Sequence, residues 1–223
     1  MEQQRGTGFV IWLTGMKRAG KSTLAALLAK RLAAAGHEVE LLDEDATASV
    51  LVEGLSMSKD DHAKAVARIG LVAKAVAKLG GVAVCAALSP YRDARDQLRR
   101  EARRFCEVFV DCEMETLQKR DPEGLYRRAL AAELTQVPGV DVPYEPPAHP
   151  EVVVRSDQVA PEEAAQRVFQ ALVDARLIGP TEFGRLTGGL RPKRGKPAAA
   201  KPAKGAAKKA PKAKPAAKKG KKR

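Results

Sequence analysis

The string Gly15-Met16-Lys17-Arg18-Ala19-Gly20-Lys21-Ser22 has the spacing G-x-x-x-x-G-K-[ST], which serves to grip a nucleoside polyphosphate. Gly15 and Gly20 permit a tight backbone wrap whose N–H groups converge on phosphate oxygens. Lys21 is expected to bridge the outer phosphates and the Ser22 hydroxyl to coordinate Mg²⁺, with Met16, Lys17, Arg18, Ala19 and Thr23 completing the cradle. Lys17 and Arg18 either add positive charge near the phosphates or project into solvent. A second group lies at Asp43-Glu44-Asp45. Asp45 is read as orienting an acceptor hydroxyl or holding a Mg²⁺-bound water, with Asp43 supporting it, because phosphoryl transfer depends on positioning and charge neutralisation. Ordinary solvated acids are the bland alternative.

These residues need elements to hold them. Residues 9–13 form a short, wholly apolar run that stops at Thr14-Gly15, the pattern of a buried parallel strand. From Ser22 the period becomes helical, with Leu24, Leu27, Leu28 and Leu32 on one stripe and Gly36 as the stop. Strand, glycine loop and helix in that order aim backbone N–H groups and the positive end of a helix dipole at one point. Further strands are expected at 39–42, 82–87, 105–110 and 152–154. Between them lie a long helix marked by Val66, Ile69, Ala73, Val76 and Leu79, a charged helix after Tyr91, and a last helix opened by Pro161. The alternation predicts an α/β fold of three layers, a parallel sheet with helices on both faces and the P-loop after its first strand. Asp43 and Asp45 then fall at the carboxyl edge, where such sheets place ligands. Periodicity fades over 120–150, which is read as a lid, and 179–190 is read as a linker.

The chain has 223 residues, 30% charged and 4% aromatic, with a formal charge of +13. The charge is unevenly placed. Residues 191–223 hold 15 of the 40 basic residues and none of the 27 acids, so residues 1–190 come to −2. The tail uses only Lys, Arg, Ala, Pro, Gly and nothing it can bury, so disorder is expected there. Its composition resembles linker-histone tails and suits non-specific nucleic acid or another polyanion; a solubilising extension is the alternative. Cys85, Cys106 and Cys112 lack C-x-x-C spacing, which fits a reduced, cytoplasmic protein without a metal knuckle. No apolar run is long enough for a signal sequence or membrane span, and a homodimer is compatible with the sequence.

A P-loop alone does not separate kinases from GTPases or motor ATPases. No N-K-x-D string and no long apolar strand ending in Asp-Glu are seen, which favours a compact small-molecule kinase. From Phe9 to Ala175 the sequence resembles the adenylylsulfate kinase family. The resemblance is carried by WLTG…GKSTLA at 12–25, LLDED at 41–45, LSPYR at 88–92, VFVD at 108–111, KRDPEGLYRRA at 119–129 and PYEPP at 143–147. It implies Mg²⁺-dependent transfer of the γ-phosphate of ATP to the 3′-hydroxyl of adenylyl sulfate. It also places Asp45, Ser89, Tyr91, Arg92 and Leu125 on the acceptor and Arg120 against the nucleotide. Ser89 matches a position described in the family as a phosphoserine intermediate. In-line transfer needs no nucleophilic serine and no base is evident beside it, so Ser89 reads as shaping the loop near the transfer.

The acceptor half departs from the family pattern. D-G-D-N-V-R becomes Asp43-Glu44-Asp45-Ala46-Thr47-Ala48, and three further acceptor contacts become His62, Ala65 and Ala67. Arg18 stands where the loop usually has Gly, and Glu123 where the lid usually has Lys. Losing a charged hydrogen bond to an anion costs about 1.5–3 kcal/mol, so a same-fold kinase for another hydroxylated or nucleotide-like acceptor is the alternative, followed by a non-catalytic relative.

Overall fold

The computed structural model describes residues 8–189. The basic tail and residues 1–7 lie outside the described residues, and so do the expectations placed on them.

Strand β1 (Phe9–Thr14) is buried along its whole length because it pairs on both sides, in parallel, with β3 and β4. A strand so placed is covered on both faces and favours apolar side chains, which is why 9–13 reads as a continuous run. Helix α1 (Lys21–Ala34) follows the glycine loop, and β2 (Val39–Asp43) returns to the sheet. After the short α2 (Ser49–Val52), α3 (Lys59–Lys78) starts at Ser58, whose hydroxyl accepts the Asp61 N–H at 3.2 Å. Then come β3 (Val82–Ala87), α4 (Arg92–Glu101), β4 (Phe105–Asp111), α5 (Met114–Lys119), α6 (Leu125–Leu130), β5 (Val152–Arg155), α7 (Pro161–Asp174) and α8 (Pro180–Leu186). The sheet order is β2-β3-β1-β4-β5, all parallel. The expected doubly covered parallel sheet is therefore present.

Alternation along β1 divides the core. Phe9, Ile11 and Leu13 pack with Leu24, Leu28 and Leu32 of α1 and Val168, Phe169 and Leu172 of α7. Val10 and Trp12 face the opposite side, against Val66, Ile69 and Ala73 of α3 and Leu98 of α4. All three cysteines are free and buried, and burial pushes their thiols up, so they act as small core residues. Among the described residues no helix is long and apolar enough to cross a membrane.

One expectation changes. The stretch 179–190 is not a bare linker: Pro180 opens α8 and Phe183 and Leu186 are buried in the α1/α7 core. The segment 120–150, read as a lid where periodicity fades, is locally ordered. It contains α6, and Asp141 accepts the N–H groups of Gln136 and Val137, closing a tight turn. Its periodicity is hidden because α6 is six residues long and the remainder is held by side-chain-to-backbone bonds.

Candidate active site

The loop leaving β1 reverses over the sheet's carboxyl edge, and its backbone shows why glycine is required. Gly15 has φ 153°, and a Cβ there would lie 2.3 Å from the Val110 carbonyl oxygen. Gly20, at φ 95°, forms the N-cap of α1. Between them Arg18 adopts φ 63° in spite of its side chain. The Lys21 ammonium donates to the carbonyls of Gly15 and Met16 at 2.9 and 3.0 Å, closing the loop around itself. Burial lowers its pKa to about 8, with Glu44 and then Asp45 opposing the shift.

A cavity of about 790 Å³ opens over this loop. It gathers Lys17, Arg18, Gly20, Lys21, Ser22, Thr23, Asp45, Arg120 and Leu125, so most of the residues expected to hold a nucleotide share one space. Leu125 lines this cavity from the start of α6, in the same space as Asp45. Arg120 is fixed there by donating from Nη1 to the Ser156 hydroxyl at 3.1 Å and from Nη2 to its carbonyl at 2.9 Å. Gly15, Met16 and Ala19 support the wrap from behind; Ala19 is in the core.

At the end of β2, Asp43 is buried and its Oδ1 accepts the Asp45 N–H at 3.0 Å, so it shapes the turn that presents Asp45. Asp45 is exposed and pairs with Lys17 at 3.3 Å. Asp43 and Ser89, unlike Asp45, do not line the cavity. Ser89 is 3% exposed, its hydroxyl accepts Trp12 Nε1–H at 3.1 Å and donates to Thr14 Oγ1 at 2.8 Å, and its φ is 36°. Thr14 Oγ1 in turn meets the Tyr144 hydroxyl at 2.7 Å, so the serine belongs to a buried chain joining β1, the loop after β3 and the PYEPP segment. A catalytic hydroxyl needs access, and this burial with both bonds made inside the protein gives the Ser89 hydroxyl none here. Tyr91 packs its ring against His62 and beneath the Lys59 ammonium. The Arg92 guanidinium, expected on the anionic acceptor, donates from Nη2 to the Pro146 carbonyl at 3.0 Å and is exposed.

Several residues escape a motif-based reading. Glu44 turns inward, accepts the Leu88 N–H at 2.6 Å, and burial raises its pKa. Arg95 is 1% exposed and donates to Glu107 at 2.9 Å, to the Ser89 carbonyl at 2.5 Å and to the Glu145 carbonyl at 2.6 Å, tying three segments of the site together. Tyr126, fully buried, donates its hydroxyl to the Lys17 carbonyl at 2.7 Å and so seats α6 on the glycine loop. Arg18 and Glu123, the two departures on the nucleotide side, face each other at 2.8 Å. Their local sequence carries no sign of these contacts, except that a charged residue at a glycine position asks for a partner.

Mg²⁺ takes one or two protein oxygens and completes its shell with water and phosphate. The Ser22 hydroxyl and the Asp45 carboxylate, both exposed and on the same cavity, are a donor set of that kind.

A parallel sheet with a Lys-bearing glycine loop at its carboxyl edge defines a P-loop nucleotide-binding fold. The sequence profile described as Adenylylsulphate kinase matches residues 7–155, and the chain belongs to that family. It is 41% identical over 172 residues to the adenylyl-sulfate kinase of Rippkaea orientalis, covering 77% of this chain and 93% of that one. It is 44% identical to a probable bifunctional SAT/APS kinase 2 of Sorangium cellulosum, covering 77% of this chain but spanning only 30% of that longer protein. Among solved structures, the APS kinase of Mycobacterium tuberculosis in complex with AMPPNP and APS superposes with a TM-score of 0.69 at 32% identity, covering 75% of this chain and 98% of that one.

Proposed function

We propose that this chain is an adenylyl-sulfate kinase, moving the γ-phosphoryl group of ATP onto the 3′-hydroxyl of adenylyl sulfate. The observation that carries this reading is the convergence of Lys21, Ser22, Asp45 and Arg120 on one cavity over the glycine loop, in a chain of this family. The Mycobacterium tuberculosis relative, with AMPPNP and APS bound, supports the same pair of ligands here.

The loop N–H groups and Lys21 hold the phosphates, and Lys21 shifts from the Gly15 and Met16 carbonyls to phosphate oxygens as they arrive. Arg120, braced by Ser156, lies along the nucleotide. Ser22 and Asp45 would hold Mg²⁺, which supplies neutralisation of the charge on the β- and γ-phosphate oxygens. Asp45 also orients the acceptor hydroxyl for in-line attack, and Asp43 keeps it in place through the backbone. Leu125 closes one side of the cavity against water, and the buried Tyr126 behind it ties α6 to the Lys17 carbonyl.

One observation favours a second acceptor. Ala48 and Ala65 are buried and offer an anion no hydrogen bond, and Arg92 uses one of its five N–H donors on the Pro146 carbonyl. ADP release with adenylyl sulfate, adenosine 5′-phosphate and a panel of small alcohols separates the readings. Saturable turnover with adenylyl sulfate upholds the first; turnover with another member of the panel alone replaces it.

A further inference from the structure

The mouth of the nucleotide cavity carries an ion pair that the transfer chemistry does not use. Arg18 Nη2 lies 2.8 Å from Glu123 Oε1, and both side chains line the cavity beside Lys21 and Ser22. Arg18 sits at φ 63°, a conformation a non-glycine residue takes only where its surroundings impose it. Glu123 is carried on a rigid support: Asp121 caps α6 by accepting the Tyr126 N–H at 2.8 Å, and the Tyr126 hydroxyl bonds the loop carbonyl next to Arg18. The pair itself is open to solvent, with the Arg18 side chain 36% and the Glu123 side chain 78% exposed. Such pairs are weak and exchange readily. A phosphate group offers a guanidinium a doubly charged, bidentate partner and a stronger bond than one exposed carboxylate.

We propose that Arg18 is a phosphate-contacting residue kept at the cavity mouth by Glu123, which it leaves for the terminal phosphates of an incoming nucleoside triphosphate. Glu123 then acts as an internal competitor: it holds the guanidinium between turnovers and reclaims it as the shortened nucleotide departs. The proposal rests on the reading that this cavity takes a magnesium nucleotide. It assigns the residue a preference for triphosphate over diphosphate, since only the former presents a γ-phosphate.

Titration calorimetry on the full chain tests this with Mg²⁺ and the non-hydrolysable β,γ-imido analogue of ATP, and in parallel with MgADP. Arg18→Gln is expected to weaken the triphosphate analogue about tenfold and MgADP less. Glu123→Gln is expected to tighten the analogue about two- to fivefold, and to do nothing in the Arg18→Gln background. Weaker binding in Glu123→Gln would make the pair a clamp that holds the lid shut, and unchanged binding in both single variants would make it a surface contact; either overturns the proposal. Arg18→Gly, which suits the backbone at φ 63°, guards against misfolding and must reproduce Arg18→Gln. Lys21→Ala serves as the separate control: wild-type affinity there would remove the nucleotide site itself, a failure distinct from that of the Arg18 assignment.

Discussion

Replacing Ser89 by Ala separates a covalent role from a structural one. The hydroxyl is the acceptor for the Trp12 indole N–H, which is fully buried and has no other bond, and the donor to Thr14 Oγ1. Deleting it leaves a buried donor unpaired, at a cost of about 1–3 kcal/mol. Taking about 2 kcal/mol and the response of a domain this size, the melting temperature is expected to fall by about 4–8 °C. Phosphoryl transfer should continue, because Lys21, Ser22 and Asp45 are untouched. At a temperature well below the new melting point, turnover is expected to stay within about tenfold of wild type, the loss reflecting looser positioning of the acceptor loop. Thermal denaturation and single-turnover transfer on the same preparation give both numbers. Unchanged stability with turnover reduced by about 10³-fold or more would refute this reasoning and restore a nucleophilic serine.

Nucleotide affinity should depend on pH through Lys21. Burial puts its free-state pKa at about 8, and phosphates bind the charged form, so affinity is constant well below pH 8 and falls as pH rises through it. Binding at pH 8 is expected to take up about half a proton, measurable in buffers of different ionisation enthalpy; no uptake would contradict the assignment. Asp45→Asn is expected to lower kcat by about 10²–10⁴-fold, and a loss under about tenfold in rapid-quench assays would remove Asp45 from the chemistry. Arg95→Met strips the buried Glu107 of one of its two cations and leaves the Ser89 and Glu145 carbonyls without that donor. Chemical denaturation should show a loss of about 3–5 kcal/mol, and one below about 1 kcal/mol would mean the site does not depend on this brace.

What the sequence discloses follows from which interactions are local. The apolar run of β1, the glycine spacing and the leucine stripe of α1 are contiguous, so strand, loop and helix are legible with the ligand they serve. The sheet's parallel order follows from alternation. Arg95 and Glu107 fall in a charged helix and an apolar strand with nothing local to single them out, because their partnership spans two elements and only packing makes it visible. Arg92 matches a motif yet bonds Pro146, 54 residues away. Ser89 carries its role in a contact with Trp12, 77 residues earlier, which no spacing rule contains. Residues 180–186 were open to a linker reading because only Phe183 and Leu186 mark their buried face.

The most direct test is the position of the transferred group. The purified chain is incubated with Mg²⁺, adenylyl sulfate and ATP labelled with ³²P at the γ-phosphate, and the nucleotide product is treated with a 3′-specific phosphatase. A labelled adenylyl sulfate that surrenders all of its label to that enzyme is the expected result. Label that resists the phosphatase, or none on the acceptor while nucleotide still binds, would contradict 3′-phosphorylation of adenylyl sulfate by this site.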